Sequence, residues 1–299
     1  MTDGHFAQDI NAARPQRPIS QAREADVRAA RLHLHVLGSG SKGNCVLVEG
    51  PEGIIMVDDG FSRREVLRRM NALGIDEALV RAVIITHEHS DHVKGLPVWC
   101  KRFAGELYAS KGTPGTRSTI SDLPFFEFEA GDELEIAGIA VRTFPTSHDV
   151  ANPIGLRFDC RDDSIGLMTD TGIVSPQARE VLEGSRILAL ESNHDVSMLR
   201  NGDYPRHLQD RILSEKGHLS NEQAAEAVTA VVGDRTEYVV AMHISQENNR
   251  PSLAVRSLAG ALGAQLDDEL GSTATLTRAG GAAGLRICAA GQNRPISIR

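Results

Sequence analysis

Thr86-His87-Glu88-His89-Ser90-Asp91-His92 brings three imidazoles and an aspartate together within one short stretch. Neutral imidazole and carboxylate are preferred ligands of zinc, iron and manganese. The chemistry this points to is attack by a metal-bound water rather than by a side-chain nucleophile. A single His-x-His would be compatible with a polar surface loop. His-x-His-x-Asp-His directly after an apolar run has the spacing of a metal site.

The run before it, Arg81-Ala82-Val83-Ile84-Ile85, is β-branched and reads as a buried strand; Val93 to Trp99 can begin a helix that runs towards Phe103. Further upstream, Arg31 to Leu37 alternates as a half-buried strand, and Gly38-Ser39-Gly40-Ser41-Lys42-Gly43 fits G-x-G-x-x-G. A dinucleotide site needs that loop to open a helix. Here Cys45–Glu49 and Ile54–Asp58 flank the turn Gly50-Pro51-Glu52-Gly53 as a β-hairpin, so the glycines are expected to let backbone pass close to a substrate or metal. Ser62 and Glu65 have capping-box spacing ahead of a helix ending at Gly74. Later apolar strands deliver His148, Asp170-Thr171-Gly172, Glu191-Ser192-Asn193-His194-Asp195 and His243, while helices are expected near 176–182, 199–213, 222–232 and 252–262. Strands that repeatedly end in His or Asp, with helices between them, predict an α/β (α+β) architecture of two face-to-face sheets between helical layers.

These residues resemble the metallo-β-lactamase-fold hydrolases over roughly Leu32 to Ile298. The resemblance implies a four-layer αββα sandwich with one catalytic domain at 31–299; residues 1–30, polar, rich in Ala, Arg and Gln and without an apolar h-region, are expected to form a flexible N-terminal extension. The resemblance also implies a dinuclear site. His87, His89 and His148 would hold one divalent ion, Asp91, His92 and His243 the other, and Asp170 would bridge them. The ions would be zinc or manganese, with iron also compatible. Asp58, in Val57-Asp58-Asp59-Gly60, would support a ligand histidine or its loop; Asp59 fits the family spacing less well. Two divalent ions, two aspartates and a bridging hydroxide leave one positive charge, which suits an anionic phosphodiester. Asp91 would also orient the hydroxide. Asp170 in place of cysteine argues against a β-lactamase, and His89 in place of an acid against a flavo-diiron electron-transfer site.

A narrower resemblance, to the YycJ/WalJ-like DNA 5′→3′ exonucleases, is carried by Leu37 to Asn44, Glu191 to Asp195, Gly217-His218-Leu219-Ser220-Asn221 and His243 to Asn249. The chain departs from that branch at Asp59, usually a small residue, and at Ile244, usually leucine. By motif, Asn193, His194, His218 and Ser245 would face the substrate, with Asp91, His194 and His218 as catalytic residues and His218 meeting a phosphate or protonating a leaving group. The alternative for these polar residues is helix capping and loop hydrogen bonding. The rival functions are a thioester or lactone hydrolase of the glyoxalase II type and a non-catalytic protein that keeps metal for structure.

Composition sets outer bounds. A hydrophobic fraction of 41% with 24% charged residues is a globular balance, and no apolar run approaches the length of a membrane span. Cys45, Cys100, Cys160 and Cys288 form no C-x-x-C, so reduced thiols in a cytoplasmic protein are expected. A net charge of −8 argues against a broad nucleic-acid-coating surface. It leaves room for a local basic groove, either at Arg63, Arg64, Arg68 and Arg69 or at Arg200, Arg206, Arg211 and Lys216, to receive DNA ends. Solvated helix faces are the alternative for both groups.

Overall fold

The computed structural model describes residues 31–278 and 284–299. The N-terminal extension expected at 1–30 lies outside the described residues, as does part of the Ala/Gly-rich stretch near Gly280.

The first sheet is built from β1 (His33–Gly38), β2 (Cys45–Gly50), β3 (Gly53–Val57), β4 (Val80–Ile85), β5 (Glu106–Ser110) and β6 (Phe125–Phe128). Helices α1 (Arg63–Ala72), α2 (Ser90–Val93) and α3 (Leu96–Trp99) lie between its strands in sequence. The second sheet takes β7 (Glu133–Ile136), β8 (Ile139–Pro145), β9 (Ile154–Cys160), β10 (Asp163–Met168), β11 (Ile187–Glu191), β12 (Tyr238–Met242), β13 (Gln265–Leu266), β14 (Thr273–Leu276) and β15 (Leu285–Ala289). Its helices are α4 (Pro176–Leu182), α5 (Val196–Asn201), α6 (Arg206–Ile212), α7 (Asn221–Val231) and α8 (Pro251–Leu262). The last strand, β16 (Ile296–Ile298), returns to the first sheet beside β1.

Strand periodicity explains the layering. Ile55, Val57, Ala82 and Ile84 enter the core between the sheets, where they share a cluster with Leu156, Ile165, Ala189 and Val240. The alternate residues Ile54, Met56, Val83 and Ile85 pack outward with Val66, Met70 and Trp99 of the helical layer. Leu188, Leu190, Val239 and Ala241 do the same on the far side, against Leu182, Val228 and Leu258. Both faces of the central strands are buried, which is why they read as continuous apolar runs. The result is the expected four-layer αββα sandwich.

The helix expected to continue towards Phe103 is broken into α2 and α3. Pro97 has no N–H to give to the carbonyl four residues back, and the Gly95 amide leaves the helix to donate to Asp59 O at 2.8 Å. At α1 only half of the capping box forms: Ser62 accepts from the Glu65 amide, while the Glu65 carboxylate accepts from Arg68 and Arg69.

Candidate metal centre

The parallel strands β3 and β4 of one sheet and β10, β11 and β12 of the other end at a common edge, and their C-terminal residues turn towards each other. Three of these residues do so through left-handed backbone. Asp58, Asp170 and His243 have φ of 61°, 56° and 50°. This conformation is costly for residues other than glycine and is held only where the surroundings enforce it.

On the first-sheet side, Asp58 organises the His-rich loop. Its Oδ1 accepts from the Thr86 amide at 2.8 Å and its Oδ2 from Thr86 Oγ1 at 2.9 Å. The same Oδ2 accepts from His92 Nδ1 at 2.7 Å, so His92 presents Nε2 inward. Thr86 Oγ1 lies 3.1 Å from His87 Nδ1 and accepts from it, which leaves His87 Nε2 to a ligand, while His92 Nε2 lies 3.0 Å from Asn44 Nδ2. The glycine-rich loop closes against this unit. Asn44 donates its amide N–H to Asp91 O at 2.8 Å and its side-chain Nδ2–H to Asp91 Oδ2 at 3.1 Å. Gly60 packs so tightly here that a Cβ would sit 1.6 Å from Asp91 O.

On the second-sheet side, His148 Nδ1 donates to the Lys216 and Gly217 carbonyls at 3.1 Å each, turning Nε2 towards His89 Nδ1, 3.2 Å away. His243 Nδ1 donates to Glu191 Oε1 at 3.2 Å, and its backbone is pinned by Ser39 Oγ and Asn193 Nδ2. Asp170 occupies the middle: its Oδ2 is 3.3 Å from His92 Nε2, and its Oδ1 is 3.5 Å from His243 Nε2 and 3.9 Å from His148 Nε2.

The donor atoms group as His87, His89 and His148; as Asp91, His92 and His243; and as His87, His92 and Asp170. Within each group they lie within 4.8 Å of one another. Buried His87 Nε2, His243 Nε2 and Asp170 Oδ2 have no hydrogen-bond partner among the described residues. Unpartnered buried polar atoms are costly unless a ligand satisfies them, and imidazole with carboxylate is a donor set that fits divalent metal.

The electrostatics divide the site. Burial lowers the pKa of His87, His89 and His148, His87 furthest, so these rings are neutral. Burial also opposes charge on His92 and His243, but Asp58, Asp170 and Asp91 outweigh it at His92. Asp170, Asp91 and Glu191 outweigh it at His243, which is pushed up to about 10. Burial raises the Asp170 carboxyl, yet His243 and His92 hold it well below the carboxylate range.

A cleft of about 240 Å³ opens onto this cluster. Its lining includes Asn193, Ser245 and His218, together with Ser41, Tyr204 and Arg211. His218 donates through Nδ1 to Glu191 Oε1 at 2.7 Å. Asn193 and Ser245 also serve their own loop, through the Ser245 amide to Asn193 O and the Asn248 amide to Ser245 Oγ. His194 does not join them. It is buried beneath the loop, outside the cleft lining, its pKa lowered by burial to about 4, and both ring nitrogens lack hydrogen-bond partners among the described residues. The expectation that it faces substrate is corrected accordingly.

Two residues outside the expected site prove central. Glu191, fully buried, ties His218 and His243 to the Thr171 amide; in the sequence it stood at the end of an apolar strand and opened the Glu191–Asp195 motif, with no role of its own. Asn44 closed the glycine-rich stretch without an evident task. Of the two basic groups, three members of the first are taken up by pairing: Arg69 is buried against the Leu37 and Gln292 carbonyls, Arg68 pairs with Glu65, and Arg63 with Glu77. In the second, Arg211 reaches the cleft and donates to Asp149 at 2.6 Å.

Residues 54–244 match the family model described as a beta-lactamase superfamily domain. The chain is 39% identical over 237 residues to the exodeoxyribonuclease YycJ of Bacillus anthracis, covering 77% of this chain and 89% of that protein. It is 36% identical over 238 residues to the exodeoxyribonuclease WalJ of Streptococcus pneumoniae, covering 78% and 88%. Among solved structures, the metallo-beta-lactamase fold protein YhfI from Bacillus subtilis superposes with a TM-score of 0.63 at 13% identity, covering 89% of this chain and 99% of that one.

Proposed function

The chain belongs to the beta-lactamase superfamily, and on that premise we propose a dinuclear metal-dependent phosphodiesterase acting on DNA ends as a 5′→3′ exonuclease. The observation that carries this reading is the meeting of His87, His89, Asp91, His92, His148, Asp170 and His243 within ligand distance around one central carboxylate. His87, His89 and His148 would hold one ion, Asp91, His92 and His243 the second, and Asp170 would touch both. The donor set suits zinc or manganese, and iron as well. The names of the two exodeoxyribonuclease relatives support DNA as substrate, and the YycJ/WalJ-like motifs support the direction.

When bound, such a pair supplies a nucleophile from water at neutral pH and stabilises the attacking and leaving oxygens of an in-line displacement. The chain's own groups do the rest. Asn44 fixes the Asp91 carboxylate, which orients the attacking water. Glu191 accepts from His218 Nδ1, so Nε2 is the nitrogen left to carry a proton to the leaving oxygen, with the buried carboxylate stabilising the imidazolium. Arg211 at the mouth, held by Asp149, is placed to meet a neighbouring phosphate. Asn193 and Ser245 line the wall a nucleotide would pass.

The test is a substrate panel. Metal-loaded protein should release the label of 5′-labelled DNA in its first cut, shorten 3′-labelled DNA stepwise and hydrolyse bis-nitrophenyl phosphate, with all of these activities lost in Asp91→Ala. Cleavage of thioesters or lactones with DNA left intact would instead support the glyoxalase II type of hydrolase, and metal binding without turnover of any substrate would support a structural role.

A further inference from the structure

His33 and His35 take no part in this chemistry. They lie two residues apart on β1, so they share the face opposite Leu34 and Val36, which enter the core between the sheets. On that outward face β2, β3 and β4 carry Leu47, Met56 and Val83; β1 carries two imidazoles. Across from His33 on β2 stands Glu49, and across from His35 on β16 stands Ser297. Glu49 Oε2 is 2.9 Å from His35 Nε2 and 3.5 Å from His33 Nδ1, and the three donor atoms lie within 4.8 Å of one another. On the other side of the ring, His35 Nδ1 is 2.7 Å from Ser297 Oγ.

We propose that His33 Nδ1, His35 Nε2 and Glu49 Oε2 form a further divalent-metal site, of zinc type, with an open coordination position facing water. It lies at the start of β1, whereas the loop that serves the catalytic cleft leaves from the end of that strand. Tetrahedral zinc with ligands at about 2.0–2.2 Å holds neighbouring donors about 3.4 Å apart. The His33–Glu49 spacing is already of that size, and the His35–Glu49 pair needs to open by roughly half an ångström. Two nitrogens and one carboxylate oxygen suit zinc, nickel or copper better than magnesium or calcium. Ser297 Oγ, 2.7 Å from His35 Nδ1, is placed to accept from Nδ1–H once an ion takes the Nε2 lone pair in place of the hydrogen bond to Glu49, the support that metal-bound histidines ordinarily have.

Protonation states agree with this. Burial keeps His35 neutral by lowering its pKa. Burial raises the Glu49 carboxyl, but its hydrogen bonds to His35 and His33 outweigh that and hold it ionised. His35 is 1% exposed, whereas His33 and Glu49 are 32% and 36% exposed, which gives an ion a route in from solvent. The Arg299 charge acts on His35 and opposes a cation there.

The experiment is a zinc count. Full-length metal-loaded protein is dialysed against buffered free zinc across the micromolar range, and zinc per chain is measured by mass spectrometry. Wild type should hold one equivalent more than His33→Ala or Glu49→Gln, whatever number the catalytic cleft holds, and both variants should keep wild-type circular dichroism and phosphodiesterase activity. Ser297→Ala should fill the site only at about 10–100-fold higher free zinc, and Arg299→Gln at lower free zinc. Equal zinc content in wild type, His33→Ala and Glu49→Gln at every free-zinc level would overturn the proposal.

Discussion

The two sheets supply their halves of the metal centre in different ways. The first delivers His87, His89, Asp91 and His92 from one loop, braced by Asp58, Thr86 and Asn44 within hydrogen-bond distance. The second delivers His148, Asp170 and His243 one at a time from β8, β10 and β12, and relies on left-handed backbone at two of them and on buried Glu191 to aim them. The first half is a local motif. The second is a property of the assembled sheet, and it includes Asp170, buried at the centre, whose carboxylate approaches His92 of the first half and His148 and His243 of the second.

Substitution of Asp170 should therefore have the largest effect. Asp170→Ala is expected to lower kcat/KM on DNA by about 10³-fold or more, roughly 4 kcal/mol, and to reduce metal content without unfolding the sandwich, as read by kinetics, metal analysis and circular dichroism. Next is the proposed proton donor, His218. His218→Ala should lose about 10²–10⁴-fold on DNA but little on bis-nitrophenyl phosphate, whose leaving group needs no proton. A similar loss on both substrates would assign His218 to binding rather than acid catalysis.

The bracing carboxylates sharpen the comparison. Asp58→Asn and Glu191→Gln should each weaken metal affinity by about 10–100-fold. Only Glu191→Gln should also lower kcat on DNA at saturating metal, because Glu191 accepts from His218 Nδ1 and Asp58 does not. The smallest effect belongs to a cost peculiar to the first half. Burial, and after it the charge of Asp58, raises Asp59 to about 7, though a hydrogen bond from the Phe61 backbone opposes this. A carboxyl whose folded pKa is raised contributes stability that is full below the unfolded pKa and lost as pH rises through the folded value. Wild type should lose stability from about pH 4 to pH 7. Asp59→Asn, which cannot ionise, should gain a few degrees in Tm relative to wild type between pH 5 and pH 8, measured by calorimetry.

The same division governed what could be read from the sequence. The first half was legible because its donors are contiguous and follow an apolar strand. His148, Asp170 and His243 became legible only through a family pattern, since a lone histidine or aspartate at a strand end carries no spacing signal. Glu191 escaped notice because its partners, His218, His243 and the Thr171 amide, meet it only in the folded chain. His194 was misjudged because sequence proximity to Asn193 does not tell which way a side chain turns at the end of a strand. Burial on both faces made the strands readable, while the pairing of β16 with β1, from opposite ends of the chain, could not be derived from periodicity.

Crystals grown with manganese or zinc and measured at the metal absorption edge give the most direct test. Two anomalous peaks about 3.5–4 Å apart are predicted, one contacted by His87, His89 and His148, the other by Asp91, His92 and His243, with Asp170 reaching both. A single peak, or His148 or His243 turned out of contact with either ion, would contradict the account.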